Sequence, residues 1–134
     1  MVEMELSKII IDEKSQEQVI VLKEKNGNRL LPIMIGINEA AAIRIKFGGF
    51  KPLRPLTHDL LKSVIEHLGA KLERVVIDKL VNSTFHAKLI LKTEKGEYKR
   101  VDARPSDSIA LAVRVNSPIF VEEEVLNKSS FNAT

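Results

Sequence analysis

"QVIVLKEKNGNRLLPIMIGINEAAAI", residues 18–43, is the stretch whose reading decides the fold. Gln18 to Glu24 is rich in β-branched residues, Lys25-Asn26-Gly27-Asn28 has turn chemistry, and Leu30 to Ile35 is apolar and β-branched again. That is a hairpin. The period then changes: Asn38-Glu39-Ala40-Ala41-Ala42-Ile43 reads as a helix that Asn38 caps and Gly48-Gly49 stops. Upstream, Ile9 to Asp12 supplies a further strand.

The same order reappears downstream. Leu72 to Leu80 reads as a strand, Phe85 to Thr93 and Glu97 to Ala103 as a hairpin about Glu94-Lys95-Gly96, and Pro105 to Val115 as a helix. Sliding the chain by 69 residues sets Leu22 on Leu91, Lys23 on Lys92, Gly27 on Gly96 and Ala41 on Ala110. Lys8-Ile9-Ile10-Ile11-Asp12 matches Arg74-Val75-Val76-Ile77-Asp78 at a slightly shorter offset. A unit repeated over four elements predicts an α+β domain with internal duplication. Its sheet is expected to be largely antiparallel and able to curl into a barrel, with helices packed on it. Between the repeats lie the loop 47–53 and a helix opened by "RPLTHDLL", 54–61; after them come a strand, Pro118 to Val121, and a short helix, Glu122 to Leu126. We expect one domain over 1–127 and a disordered polar tail over 128–134.

With 134 residues, 44% of them apolar, the chain can bury a core without staples. It has no Cys, which removes disulfides, thiolate zinc sites and a Cys nucleophile and fits a reducing compartment, with the cytoplasm as the default. No segment approaches the roughly 20 apolar residues of a membrane span, so no membrane partner is expected. The net charge of +3 permits a polyanionic partner. The excess is local, since Arg44, Lys46, Lys51, Arg54, Lys62, Lys71 and Arg74 face Asp59, Glu66 and Glu73. A solvated face of mixed charge is the plainer account, because a nucleic-acid footprint needs a denser basic stripe. A homo-oligomer is compatible with edge strands, but no residue argues for one.

In 54–61, Thr57 is a good N-cap, Asp59 complements the helix dipole and Leu56 can staple against Leu61. Leu60, Leu61, Val64, Ile65 and Leu68 form one apolar face, and Gly69 supplies the stop. Capping does not require Arg54 or His58, although a His on a first turn is more often an ordinary surface residue. In "VDARPSDSIALAV", 101–113, Pro105 suits the first helical position and the body of the helix is core. Asp102 and Arg104 flank Ala103, where they can pair with each other or face a ligand; the salt bridge is the favoured outcome. Glu39, Asp59, Asp102 and Asp107 all lie near helix starts, so converging helices would gather them as ligands for a hard cation. The three His residues have no zinc spacing, and there is no P-loop, dinucleotide fingerprint or nucleophile elbow.

Three segments carry a resemblance: "LLPIMIGINEAAAI" (30–43), "RPLTHDLLKSVIEHLGAKLERVVI" (54–77) and "VDARPSDSIALAVR" with "SPIFV" (101–114 and 117–121). In these the chain resembles the bifunctional nuclease domain family of bacteria, archaea and plants, over about Met4 to Leu126. The resemblance implies a compact α+β fold with a duplicated unit and, as in the plant members, cleavage of both DNA and RNA. By motif match it singles out Gly36, Glu39, Arg54, Thr57, His58, Asp59, Asp102, Arg104, Ser106 and Asp107. The chain departs from the pattern at Ile33-Met34-Ile35, where many members carry an aromatic, and at Ser108, where Ala is usual.

A nuclease of low sequence preference would use these residues as follows. His58, Asp59, Asp102 and Asp107 are the catalytic candidates; Arg54, Thr57, Arg104, Ser106, Lys46 and Lys51 would hold the nucleic acid; Glu39, Asp102 and Asp107 would hold Mg²⁺ or Mn²⁺. The competing expectation is a non-catalytic module for a small anion, a nucleotide or a protein, in which caps, Pro positions and salt bridges account for the same residues.

Overall fold

The structure is a computed structural model and describes every residue except 12, 13, 15, 16, 50 and 134. The strand end expected at Asp12 and the tail's last residue therefore fall outside the described residues. Three strands open the chain, β1 (Val2–Ile11), β2 (Gln18–Glu24) and β3 (Arg29–Ile35), followed by α1 (Ile37–Phe47) and α2 (Thr57–His67). The second half repeats the pattern with β4 (Ala70–Val81), β5 (Thr84–Thr93), β6 (Tyr98–Ala103) and α3 (Pro105–Val115). β7 (Ile119–Val121), α4 (Glu123–Ser129) and β8 (Phe131–Asn132) complete it.

Among the described residues the strands form one eight-stranded sheet in the order β6-β5-β4-β7-β1-β2-β3-β8. Two antiparallel meanders lie back to back, joined by β7, which runs parallel to β4 and antiparallel to β1. The sheet curls, bringing β3 and the tip of the β4–β5 hairpin to opposite walls of one cavity. It does not close into a barrel: β6 and β8 remain its edges.

The duplication is written in the register. Leu6 pairs with Leu22 and Leu72 with Leu91, and in each half a bulge follows at once, at Ser7 and at Glu73. An extra residue at the same place in both meanders bends both strands alike. Gly96 takes φ +83° in the β5–β6 turn, which a side chain would strain. The β4–β5 connection is Asn82-Ser83, both left-handed at φ 52° and 63°, as a two-residue hairpin turn of this hand requires.

The core is one apolar cluster. Ile20, Leu22, Leu31, Val75, Ile77 and Val121 from the sheet pack with Ile43 of α1, Ile109 and Leu111 of α3, and Val125 and Leu126 of α4. α3 is buried along nearly its whole length, as its apolar sequence implies, whereas no residue of α2 is fully buried. The apolar row expected on α2 is present but largely open, with Leu60, Leu61, Val64 and Leu68 exposed.

The tail corrects an expectation. Rather than being disordered, Phe131 and Asn132 pair with Leu30 and Arg29, and the Ala133 N–H donates to Asn28 O at 2.9 Å. Its anchor is α4, which buries Val125 and Leu126 and is clamped by Arg29 between Glu24 and Glu123. The polar composition that suggested disorder reflects a segment with one apolar anchor and an edge ladder.

Candidate active site

The site is built from helix starts. α1, α2 and α3 are each 11 residues long, and each carries a carboxylate at its third position: Glu39, Asp59 and Asp107. A negative charge there complements the exposed N–H groups of a helix start. The caps differ from expectation by one or two residues. Gly36, not Asn38, precedes α1, and Leu56, not Thr57, precedes α2, whose Asp59 Oδ2 accepts the Leu56 N–H at 2.9 Å. The Asp59 carboxylate thus serves the role that Thr57 could have served. Leu56 is thereby the cap residue itself, not the outlying residue that a staple to Leu61 requires.

Around the start of α3 four charged or polar side chains meet. The His58 Nε2–H donates to Asp107 Oδ1 at 2.9 Å, and Arg104 Nε donates to Asp107 Oδ2 at 2.9 Å. The same guanidinium reaches Glu39 through Nη2. Arg104 is the N-cap residue of α3, three positions before Asp107, so one turn of chain brings the pair together. Glu39 bends back over its own helix start, where a Cβ on Gly36 would lie 2.6 Å from Oε2; Gly36 is small because the carboxylate needs that space. Burial alone would raise the pKa of Asp107, but the bonds from His58 and Arg104 outweigh it and hold the carboxyl below its ordinary range. Asp107 and Glu39 in turn raise that of Arg104.

His58, with a side chain only 12% exposed, lines a hollow of about 370 Å³ with Asn38, Glu39, Leu56, Thr57 and Asp107. Next to it, sharing Ile45, is a second hollow of about 400 Å³ lined by Lys46, Lys51, Arg54 and Asp59. A His–carboxylate pair and a basic cradle thus stand side by side.

Not every expected residue joins them. Asp102 is 77% exposed and bonds Lys88 at 3.3 Å; it does not pair with Arg104. The register accounts for this correction, because Lys88 lies directly across from Asp102 on β5 while the chain turns into α3 at Arg104. Asp59 is held behind the site by Arg114, whose Nε donates to Oδ1 at 2.7 Å. Burial opposes ionisation of Asp59, yet the Leu56 N–H, Arg114 and Lys46 together lower its pKa. Ser106 is buried and faces a different, larger cavity. The expected cation set of Glu39, Asp102 and Asp107 is therefore not assembled. Two of its members hold the Arg104 cation, the third is elsewhere, and no cluster of three ligands occurs among the described residues. These donors do not fit Mg²⁺ or Mn²⁺ as arranged.

The residue missed in the sequence is Arg114. It is 97% buried and donates to Asp59, to Ala110 O at 2.7 Å and to Ala42 O at 3.3 Å, so it ties α1, α2 and α3 together. Its signal was a charged residue closing an otherwise apolar helix, IALAVR.

Comparison with known proteins now decides the family. A family model for the bifunctional nuclease domain matches residues 20–134. The chain belongs to the bifunctional nuclease domain family. It is 48% identical over 118 residues to an uncharacterized protein of Mycobacterium tuberculosis, covering 88% of this chain and 70% of that one. It is 30% identical over 107 residues to bifunctional nuclease 1 of Arabidopsis thaliana, covering 78% of this chain and 33% of the relative. With bifunctional nuclease 2 of Oryza sativa it shares 29% over 119 residues, 86% of this chain and 36% of the relative. This bifunctional nuclease domain thus spans about a third of the plant proteins that carry the nuclease name. No helix among its described residues is long and apolar enough to cross a membrane.

Proposed function

We propose that the chain is a phosphodiesterase that cleaves DNA and RNA with little sequence preference, with nucleic acid as its partner. The observation that carries this reading is the His58–Asp107–Arg104 group beside the hollow of Lys46, Lys51 and Arg54. Backbone phosphates are the part of a nucleic acid that such cations recognise irrespective of sequence. Asp107 accepts from Nε2, which fixes the proton there and leaves His58 Nδ1 as the basic atom. His58 Nδ1 takes a proton from the attacking water as its oxygen bonds to phosphorus. The bond from phosphorus to the leaving ester oxygen breaks and His58 returns the proton to that oxygen, while the basic hollow meets the charge that builds on the phosphoryl oxygens. Glu39 orients Arg104, and Arg104 orients Asp107. No step here runs through a metal ion.

A second reading has its own support. Asp59, Asp107, Glu39, Arg104 and Arg114 all have partners within the protein, as in a framework that binds a small anion, a nucleotide or a protein without catalysis. Purified protein incubated with single-stranded DNA and RNA, in EDTA and with Mg²⁺ or Mn²⁺, separates the two. The nuclease reading expects shortened strands. Binding that resists chelation with both substrates intact would favour the module.

A further inference from the structure

A cavity of about 780 Å³ is not part of the proposed reaction. It lies between the end of β3 (Pro32, Met34, Ile35) and the tip of the β4–β5 hairpin (Leu80, Phe85), and it ends on the start of α3 at Arg104, Pro105 and Ser106. Its size falls within the roughly 300–1,000 Å³ of small-molecule sites. Arg104 lines this cavity, whereas its partners Glu39 and Asp107 line the His58 hollow, so the two spaces are separate.

The polar end is unusual. Ser106 is 94% buried, lines the cavity, and its hydroxyl has no hydrogen-bond partner among the described residues. Ser108, Ser117 and Ser130, by contrast, each donate to a backbone carbonyl at 2.6–2.9 Å. The Ser106 oxygen is not among the buried atoms left without a partner, so the hydroxyl opens onto the cavity, where a ligand can accept from it. Pro105 has no N–H, and the first α3 N–H to reach back is that of Ser108, to Arg104 O, which leaves the N–H groups of Ser106 and Asp107 without a partner among the described residues. Arg104 bonds its carboxylates through Nε and Nη2, and its Nη1 has no partner among the described residues. A hydroxyl, two helix-start N–H groups and one guanidinium nitrogen therefore stand as donors at one end of a largely apolar space.

We propose that this cavity binds a small amphipathic monocarboxylate, its apolar body against Phe85, Leu80 and Met34 and its carboxylate on Ser106, the α3 start and Arg104 Nη1. The charge of the head follows from the neighbours. Arg104 is the one charged residue among those lining the cavity, and Glu39 and Asp107 lie outside it, so the lining offers one positive group for a singly charged head and no second one for a dianionic phosphate. The donors suit a carboxylate, which accepts at both oxygens.

The test titrates the full chain with butanoate, hexanoate, octanoate and decanoate, following heat and melting temperature, with octanol and octyl phosphate alongside. Expected are saturable one-to-one binding, tightest for a medium-length chain, a rise in melting temperature with ligand, and weaker binding of octanol and octyl phosphate. Ser106→Ala should weaken octanoate about tenfold while leaving the free protein about as stable as the parent, because the hydroxyl holds no other group among the described residues. Leu80→Trp, which fills the space from its rim, should abolish binding with the circular dichroism unchanged. The proposal is overturned if none of the acids binds below about 10 mM. It is also overturned if Leu80→Trp binds as well as the parent, if Ser106→Ala destabilises the free protein, or if octyl phosphate binds more tightly than octanoate. None of these readouts depends on cleavage.

Discussion

Replacing Arg114 by Ala tests whether the three helices that frame the site are held by one buried cation. The guanidinium is 3% exposed and serves the Asp59 carboxylate and the carbonyls of Ala42 and Ala110. Removing one partner of a fully buried pair costs about 3–5 kcal/mol. Asp59 is about one-third exposed, so water replaces part of what it loses and the cost falls to about 2–3 kcal/mol. For a chain of this length about 4 °C of melting temperature corresponds to each kcal/mol, so Arg114→Ala should melt about 8–12 °C lower than the parent. The assay is thermal melting by circular dichroism at neutral and at acid pH. Asp59 has a lowered pKa in the fold, so its contribution is present above the unfolded value of about 3.9 and is lost as pH falls through the folded one. The gap between parent and variant should therefore shrink in acid. A drop under about 2 °C at neutral pH, or a gap that persists undiminished once Asp59 is protonated, would refute the reasoning.

Other outcomes follow from the same geometry. Asp59→Asn should destabilise the fold yet leave strand cleavage, measured well below the melting temperature, within about threefold of the parent, because its oxygens hold Leu56 and Arg114 and not the reacting centre. The parent should lose stability progressively as pH falls below about 4, as Asp59 and Asp107, both with lowered pKa, take up protons; denaturant midpoints measured from neutral to acid pH check this. If Lys46, Lys51 and Arg54 each hold a phosphate, changing all three to Gln should flatten the plot of log binding constant against log salt by about 2 for single strands, as titrations at several salt concentrations would show.

Much of the fold was legible because it is written twice. The β-branched runs, the Gly96 turn and the Pro105 helix start are local signals, and the repeat of Leu22 as Leu91 tied them into one topology. That the sheet could curl was expected, but how far it closes was not legible, since closure depends on how two meanders meet across β7, a contact far apart in sequence. The ordered tail was missed for a similar reason: Phe131 pairs with Leu30, a partner no local pattern names. In the site, helix-start carboxylates were found by position, but position alone did not tell which would meet. Glu39 and Asp107 converge on Arg104, whereas Asp102 is claimed by Lys88 across the strand and Asp59 by Arg114 from beneath. An ion pair is a property of packing, and Arg114 became visible as a partner only once three helices had been docked.

The most direct measurement is the single-turnover cleavage rate of a labelled single strand by the parent and by His58→Gln, each shown folded by its melting curve. If His58 Nδ1 moves the proton under the hold of Asp107, the variant should be slower by about a hundredfold or more. Rates within about threefold of each other would contradict the assignment of this histidine to the chemistry.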